Sequence, residues 1–146
     1  MSNFWNKSTA MRKLFLPLFF IVLSSTVFAQ QNKLSVVWDL SSSDTAVQGG
    51  VFRQINNARA LKPELQIEVV FHGQAVLSIL KEDKSFEARV KAAKEKGVII
   101  AVCNNSLRRL KIDPSQLMPE ATVVPSAVVE LITKQSEGWS YLRAGS

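Results

Sequence analysis

The sequence is poor in the residues that build cross-links and metal centres. Its 146 residues include one cysteine and one histidine. A lone Cys103 cannot form an intrachain disulfide, and one residue of each kind cannot assemble a Cys-rich or multi-His zinc site. Glycine and proline are also scarce, at 6 and 5 residues, while 47% of the residues are hydrophobic. Collagen-like, low-complexity and disordered chains are therefore excluded, and one globular domain is expected.

The sequence also lacks an apolar run of full membrane-spanning length in its first segment. The run Leu14–Leu23 has ten residues, whereas a transmembrane helix needs about 20. It follows a segment with three basic and no acidic residues, and it precedes a short stretch that ends at Ala29. This order predicts a signal peptide at residues 1–29 and a mature domain at residues 30–146, periplasmic or secreted. The alternative is an uncleaved membrane anchor.

The positive charge is small once that segment is set aside. The net charge of the whole chain is +6, and three of its 18 basic residues lie in the predicted signal peptide. The mature domain would then carry +3, and its basic residues form no stripe of the kind that binds nucleic acid. We therefore expect no nucleic-acid partner and, after cleavage, no membrane partner.

Short apolar segments alternate with segments of helical periodicity along the rest of the chain. Five strands are predicted, at Lys33–Leu40, Leu65–Phe71, Val98–Cys103, Ala121–Val124 and Trp139–Arg143, the last at a sheet edge. The third strand is apolar without alternation, which is typical of a central parallel strand covered by helices on both faces. The order of elements predicts an α/β sandwich with a mostly parallel sheet.

Helices are predicted between these strands, at about 51–61, 74–80, 85–96, 104–110 and 126–137. The first has two possible starts, because Ser43 or Asp44 is a good N-cap but Gly49 and Gly50 follow. Each glycine costs about 1 kcal/mol relative to alanine inside a helix. We therefore expect this helix to begin near Val51, the alternative being that the glycines allow close packing.

Three chemically versatile side chains fall at the carboxyl ends of predicted strands, where parallel α/β sheets place their ligand sites. They are Asp39, His72 and Cys103. Cys103 precedes a helix start, so its thiol pKa should fall below the value of about 8.5 for a free thiol. The alternative is an inert core cysteine, since free cysteine is among the most buried residue types.

The other candidate residues depend on this cysteine. His72 is predicted to act as its base if the two strands are neighbours, and otherwise to bond only to backbone. Asp39 either orients His72 or caps the following loop. Asn104, Asn105 and Ser106 are predicted to cap the helix that follows Cys103, and Asn104, Asn105 and Arg108 are predicted to bind a ligand. Arg108 and Arg109, about one turn into that helix, are expected to attract an anionic sulfur donor or to contact another subunit, with solvated surface as the alternative. No metal and no cofactor are expected.

Three segments carry a family resemblance: VVFHGQAVLSIL, KGVIIAVCNNSLRRLKI and the stretch from LMPEATVVPS to EGWSYLR. Together they resemble the DsrE/DsrF-like family over about residues 33–143. The resemblance implies a three-layer α/β/α sandwich with a mostly parallel five-stranded sheet, and homo-oligomers that are trimers or hexamers. In the sulfur-relay branch of the family, the cysteine that matches Cys103 carries a persulfide. His72 matches the His-Gly pattern of a secreted, largely uncharacterised branch.

These observations lead to one main hypothesis and two alternatives. The main hypothesis is an exported homo-oligomeric sulfur carrier, sulfurtransferase-like if active, that uses Cys103 and exchanges sulfur with donor and acceptor proteins. The first alternative is a non-catalytic module that binds a small ligand, with Cys103 only lining the pocket. The second is a structural oligomer without chemistry.

Overall fold

The computed structural model describes residues 33–145, and the predicted signal peptide at residues 1–29 lies outside them. Five strands are present in this part of the chain: β1 Ser35–Leu40, β2 Gln66–Phe71, β3 Ile99–Cys103, β4 Ala121–Val124 and β5 Ser140–Arg143. Four α-helices connect them: α1 Thr45–Leu61, α2 Glu87–Glu95, α3 Asn104–Leu110 and α4 Ala127–Ser136. Two 3₁₀ helices occupy Gly73–Ile79 and Pro114–Gln116. No helix within residues 33–145 is long and apolar enough to cross a bilayer.

The strands form one sheet in the order β4-β3-β2-β1-β5. Every pairing is parallel, so the sheet is fully rather than mostly parallel. The predicted α/β fold is confirmed. β3 lies inside the sheet and is buried from Ile100 to Cys103, as its continuous apolar sequence predicts, although the middle strand is β2. The last strand lies at an edge, also as predicted.

The two faces of the sheet are covered unequally. Alternate residues of the inner strands point to one face, where α1, α2, α3 and the loops between them build the larger core around Trp38, Phe71 and Val102. The opposite face is packed by α4 through Ala127 and Leu131, against a smaller cluster that includes Cys103. The result is a three-layer α/β/α arrangement in which Cys103 faces the thinner layer.

Helix α1 starts earlier than the sequence suggests. Asp44 caps it, because its Oδ1 accepts a hydrogen bond from the Ala46 N–H at 2.7 Å, and the helix runs through Gly49 without a break. A Cβ on Gly49 would lie 3.0 Å from Nη1 of Arg89, whose guanidinium sits over the Phe86 ring. The expected start near Val51 was therefore wrong: the cap begins the helix, and Gly49 makes room for α2.

Candidate functional site

Cys103 is the last residue of β3, and its thiol lies under the first turn of α4. The residue is 3% exposed. The Ala127 N–H, at the start of α4, donates a hydrogen bond to Sγ at 3.2 Å. Helix N-terminal N–H groups have no partner within their own helix, so this donor is available to an anion. The thiol is thus held by a helix distant in sequence, which the pattern around Cys103 could not indicate.

Opposing influences set the pKa of this thiol. Burial is the largest of them and raises it. The N–H groups of Ala127, Ser106 and Asn105, together with the Ser106 hydroxyl, lower it and outweigh burial, so the pKa of Cys103 lies below its usual value. A lowered pKa increases the fraction of thiolate, which is the nucleophilic form of cysteine. The direction matches the sequence-based expectation.

His72 lies just beyond β2 in a network that joins three strands. Its N–H continues the sheet by donating to the Leu40 carbonyl at 3.0 Å. Its ring Nε2 is 2.5 Å from Oδ1 of Asp39 on β1. The hydroxyl of Tyr141 on β5 donates to the other oxygen, Oδ2, at 2.7 Å. This hydrogen bond to Asp39 is the main reason why the pKa of Tyr141 is raised. Asp39 therefore orients His72, which was one of its two predicted roles.

His72 and Cys103 stand at the same level on one face of the sheet. The register pairs Phe71 of β2 with Val102 of β3, so the next residue along each strand is His72 and Cys103. Both side chains point to the face of Val70, because side chains alternate along extended backbone and His72 is extended. Among the described residues no hydrogen bond joins the imidazole to the thiol: each is bonded to a different partner.

Ser106 connects the two halves of the site, although the sequence predicts it only as a helix cap. Its hydroxyl accepts the Gly73 N–H at 2.9 Å and also lowers the pKa of Cys103. Gly73 has φ +55°, and a Cβ there would lie 3.3 Å from the Ser41 carbonyl oxygen. The turn after His72 therefore needs glycine, which brings the backbone N–H onto Ser106.

The predicted ligand-binding residues occupy the outer part of α3. The Asn105 side chain is exposed and accepts a hydrogen bond from the exposed Arg108 guanidinium, while Asn104 is half-buried. The guanidinium of Arg109, rather than that of Arg108, lies beside Gly73. The roles of Asn104, Asn105 and Arg108 in ligand binding stay predictions.

A buried carboxyl lies on the same face of the sheet and was missed by the sequence analysis. Glu68 of β2 is 1% exposed, and its Oε2 is 3.4 Å from Nζ of Lys134 on α4. Burial raises the pKa of Glu68 to about 7; Lys134 opposes this shift and the nearby Glu130 adds to it. The Lys134 ammonium also lies 4.7 Å from the centre of the Trp139 ring. These contacts anchor the later part of α4, whose first turn reaches Cys103.

Comparison with models of known protein families identifies the family of this chain. The family model of the DsrE/DsrF-like family matches residues 19–144. The chain belongs to the DsrE/DsrF-like family. Comparison with curated proteins gives no match.

Solved structures share the fold of this DsrE/DsrF-like protein. A protein of unknown function from Methanobacterium thermoautotrophicum, MTH1491, is similar at 26% identity with a TM-score of 0.72, over 75% of this chain and 98% of its own. A conserved protein of unknown function from Bacteroides thetaiotaomicron, BT1422, is 13% identical with a TM-score of 0.64, over 75% and 93%. The ychN protein from E. coli is 14% identical with a TM-score of 0.60, over 76% and 97%. The two lower identities support the fold alone.

Proposed function

We propose that this DsrE/DsrF-like protein carries sulfane sulfur as a persulfide on Cys103. The observation that carries the proposal is the Ala127 N–H aimed at Sγ, which with the Ser106 and Asn105 groups keeps the thiol pKa low despite burial. An inert core cysteine needs no such donors, and burial alone would keep it protonated. Family membership supports a sulfur-relay type of fold.

The chemistry is transfer of one neutral sulfur atom. His72 accepts the Cys103 proton, and the thiolate attacks the terminal sulfane sulfur of a small donor: a persulfide, a polysulfide or thiosulfate. A new S–S bond forms on Cys103 and the S–S bond of the donor breaks. The leaving group, a thiolate from a persulfide or polysulfide and sulfite from thiosulfate, takes the electron pair and then the proton from the imidazolium. An acceptor thiolate later attacks the outer sulfur and restores the Cys103 thiolate. No external oxidant or reductant is required.

Burial of Cys103 limits the donors that can react. At 3% exposure the sulfur atom admits a small anion more readily than a bulky thiol. Polysulfide and thiosulfate fit this limit, and the Arg109 guanidinium beside Gly73 adds positive charge near the turn that follows His72. We therefore propose small anionic sulfur species as the first donors to test, with protein donors and acceptors as later partners.

Loading assays test the proposal directly. Purified protein is incubated with polysulfide or thiosulfate, and the mass increase of one sulfur atom is measured for wild type, Cys103→Ser and His72→Ala, with thermal melts as the folding control. Wild type should load one sulfur and Cys103→Ser none, at nearly unchanged melting temperature. His72→Ala should load more slowly, since general-base help is worth about 10²–10⁴-fold. A wild type that never loads, together with a Cys103→Ser variant that melts several degrees lower, would make Cys103 a core residue.

A non-catalytic module is the second candidate, because Cys103 also packs within the apolar cluster of Val70, Ala101 and Leu131. In that case the strand-end site would bind a small ligand or only support an oligomer. We also propose export, from the predicted signal peptide, and assembly into a homo-oligomer of three or six subunits. The exposed apolar residues of α4 support the assembly.

A further inference from the structure

We infer that Asp39 and Tyr141 are positioning residues that hold His72 with its proton on Nε2, so that Nδ1 carries the lone pair that serves Cys103. The network joins three strands around one imidazole: Asp39 lies on β1, His72 follows β2 and Tyr141 lies on β5. The inference rests on the proposed role of Cys103 for its chemistry, but the state of the imidazole is measurable without any sulfur transfer.

The assignment follows from counting donors and acceptors. An ionised carboxylate only accepts hydrogen bonds, and each oxygen of Asp39 faces one partner. Oδ2 accepts the Tyr141 hydroxyl at 2.7 Å, and Oδ1 lies 2.5 Å from Nε2 of His72. Nε2 must therefore donate. A neutral imidazole has one N–H, so the lone pair is on Nδ1.

Tyr141 gives the carboxylate a fixed orientation. The hydrogen bond to Asp39 raises the pKa of Tyr141, so the hydroxyl remains a donor over the neutral range. Without this donor, Oδ2 of Asp39 would have no partner in the network, and the carboxylate would be free to rotate away from the imidazole. Tyr141 thus acts on His72 only through Asp39.

Other charged groups surround this network on three elements. Arg143 of β5 stands at the register position of Asp39, and it opposes the rise in the pKa of Tyr141. Arg109 of α3 lies beside Gly73, the residue after His72. Cys103 of β3 stands level with His72, with the start of α4 above it. Both arginines therefore add positive charge beside the network.

The proton step is balanced without an added reactant. The Cys103 S–H proton moves to Nδ1, and its electron pair stays on sulfur. Asp39 then faces an imidazolium and stabilises it through the Nε2–H bond, as a carboxylate does in a nucleophile–histidine–carboxylate triad. When the thiolate has formed its bond to sulfur, the Nδ1 proton passes to the leaving thiolate of the donor.

Nitrogen NMR of the imidazole tests the tautomer in the full chain. His72 is the only histidine, so a protein labelled with ¹⁵N-histidine gives one imidazole. In the neutral ring we expect a protonated Nε2 and an unprotonated Nδ1 in wild type, and a mixture of tautomers in Asp39→Ala. Asp44→Asn is the matched control, because asparagine also caps helix α1 well, and it should leave the spectrum unchanged. A proton on Nδ1 in wild type, or an unchanged spectrum in Asp39→Ala, would overturn the inference.

A double-mutant cycle tests whether Asp39 acts through His72. The rate of Cys103 modification by methyl methanethiosulfonate and the rate of sulfur loading are measured for wild type, His72→Ala, Asp39→Ala and the double variant. Asp39→Ala should slow both reactions by about 10–100-fold, the loss seen when the carboxylate partner of a metal-binding histidine is removed. Tyr141→Phe should slow them less. In the His72→Ala background, Asp39→Ala should have no further effect.

The outcomes separate this inference from the proposed function. If Asp39→Ala slows Cys103 modification equally in the wild-type and His72→Ala backgrounds, the positioning role is contradicted, whether or not the protein loads sulfur. The wild type could load no sulfur and still show the predicted tautomer and non-additive effects on the reaction with methyl methanethiosulfonate. That result rejects the sulfur-carrier function and retains the positioning role of Asp39. Normal sulfur loading in Asp39→Ala retains the carrier and rejects the positioning.

Discussion

Groups from two helices lower the pKa of the Cys103 thiol, although the residue is almost fully buried. Burial raises its pKa, and the donors of Ala127, Ser106 and Asn105 lower it further than burial raises it. Only one of these donors, Asn105, was a candidate from the sequence; Ser106 was considered only as a cap, and Ala127 reaches the thiol because α4 folds over β3. The lowered pKa of this cysteine is therefore a property of tertiary packing.

Ser106→Ala tests this balance at a single hydroxyl. The substitution removes a group that lowers the pKa of Cys103 and leaves the Gly73 N–H without its acceptor. We expect the pH midpoint of Cys103 alkylation to shift upward. Loss of the buried partner should also destabilise the fold by about 1–3 kcal/mol. Alkylation rates across pH and thermal melts measure both effects, with Ser85→Ala, in an exposed turn, as the control. An unchanged midpoint would show that Ser106 does not act on the thiol.

At the scale of elements, α4 connects the thiol to a buried carboxyl. Its first residue contacts Cys103, and Lys134 in its later part lies 3.4 Å from Glu68. Lys134 pairs with Glu68, which lies in the sheet under α4, and with Glu130 and Glu137, which lie along the helix. Because α4 contacts both this cluster of charged residues and the thiol, a substitution that loosens the cluster should also disturb the hydrogen bond from Ala127 to Cys103.

The raised pKa of Glu68 predicts a specific dependence of stability on pH. The native carboxyl holds its proton up to about pH 7, whereas the unfolded one releases it near 4.5. Glu68 therefore stabilises the fold at low pH, and this contribution is lost as the pH rises from about 4.5 to about 7. Glu68→Gln cannot titrate, so the melting temperature of wild type minus that of Glu68→Gln should fall across this window.

Melts of wild type, Glu68→Gln and the exposed-site control Glu64→Gln between pH 4 and 8 measure this difference. The control should follow wild type. A difference between wild type and Glu68→Gln that stays constant with pH would contradict the assignment of the buried carboxyl.

Most elements were predictable because local pattern and tertiary context agree. β4 and α3 match their predicted bounds, and the apolar β3 is buried as expected. Helix α1 was predicted too short because glycine is unfavourable inside a helix. The sequence does not show that Arg89 packs beside Gly49, where a larger side chain would be too close. Glu68 was missed because a carboxyl inside an apolar strand is ordinarily placed toward solvent, and only α4 supplies the Lys134 that accompanies it.

Three members of the candidate site were predictable from the sequence, but their hydrogen bonds and their other partners were not. The strand-end rule brought Asp39, His72 and Cys103 together, and the register confirms that they share one end of the sheet. The contribution of Tyr141 depends on β5 adding beside β1 after a long separation in sequence, which no local spacing encodes.

At the scale of the whole molecule, the thinner layer leaves apolar surface exposed. The three outward apolar residues of α4 are 60–65% exposed: Val128, Val129 and Ile132. Tyr141 and Leu142 on the edge strand β5 are 40% and 44% exposed. Exposed apolar surface of this kind is typical of protein contacts, and open sheet edges are a liability unless covered.

We therefore expect a trimer or hexamer in dilute solution. Light scattering at micromolar concentration should give a mass of at least three subunits, and Ile132→Glu should lower it by placing a charge in the contact. Leu61→Glu is the matched control, since Leu61 is 81% exposed at the end of α1 on the opposite face. A monomer mass for wild type, or equal effects of the two variants, would contradict an interface on α4.

The predicted signal peptide implies a specific N-terminus for the exported chain. Sequencing its N-terminus should give Gln30, or a residue within one or two positions, because the basic, apolar and small segments lie in order before it. Subcellular fractionation provides the parallel measurement. A membrane-bound protein that retains Leu14–Leu23 would contradict cleavage and favour an anchor.

The most direct test of sulfur carriage is the intact mass of the protein isolated from its native exported fraction. Isolation under non-reducing conditions should give a species heavier by one sulfur atom, and peptide mapping should place that atom on Cys103. A reducing agent should remove it, and the Cys103→Ser protein isolated in the same way should lack it. A native protein that contains only the free thiol, and that stays unmodified after exposure to polysulfide and thiosulfate, would contradict the carrier.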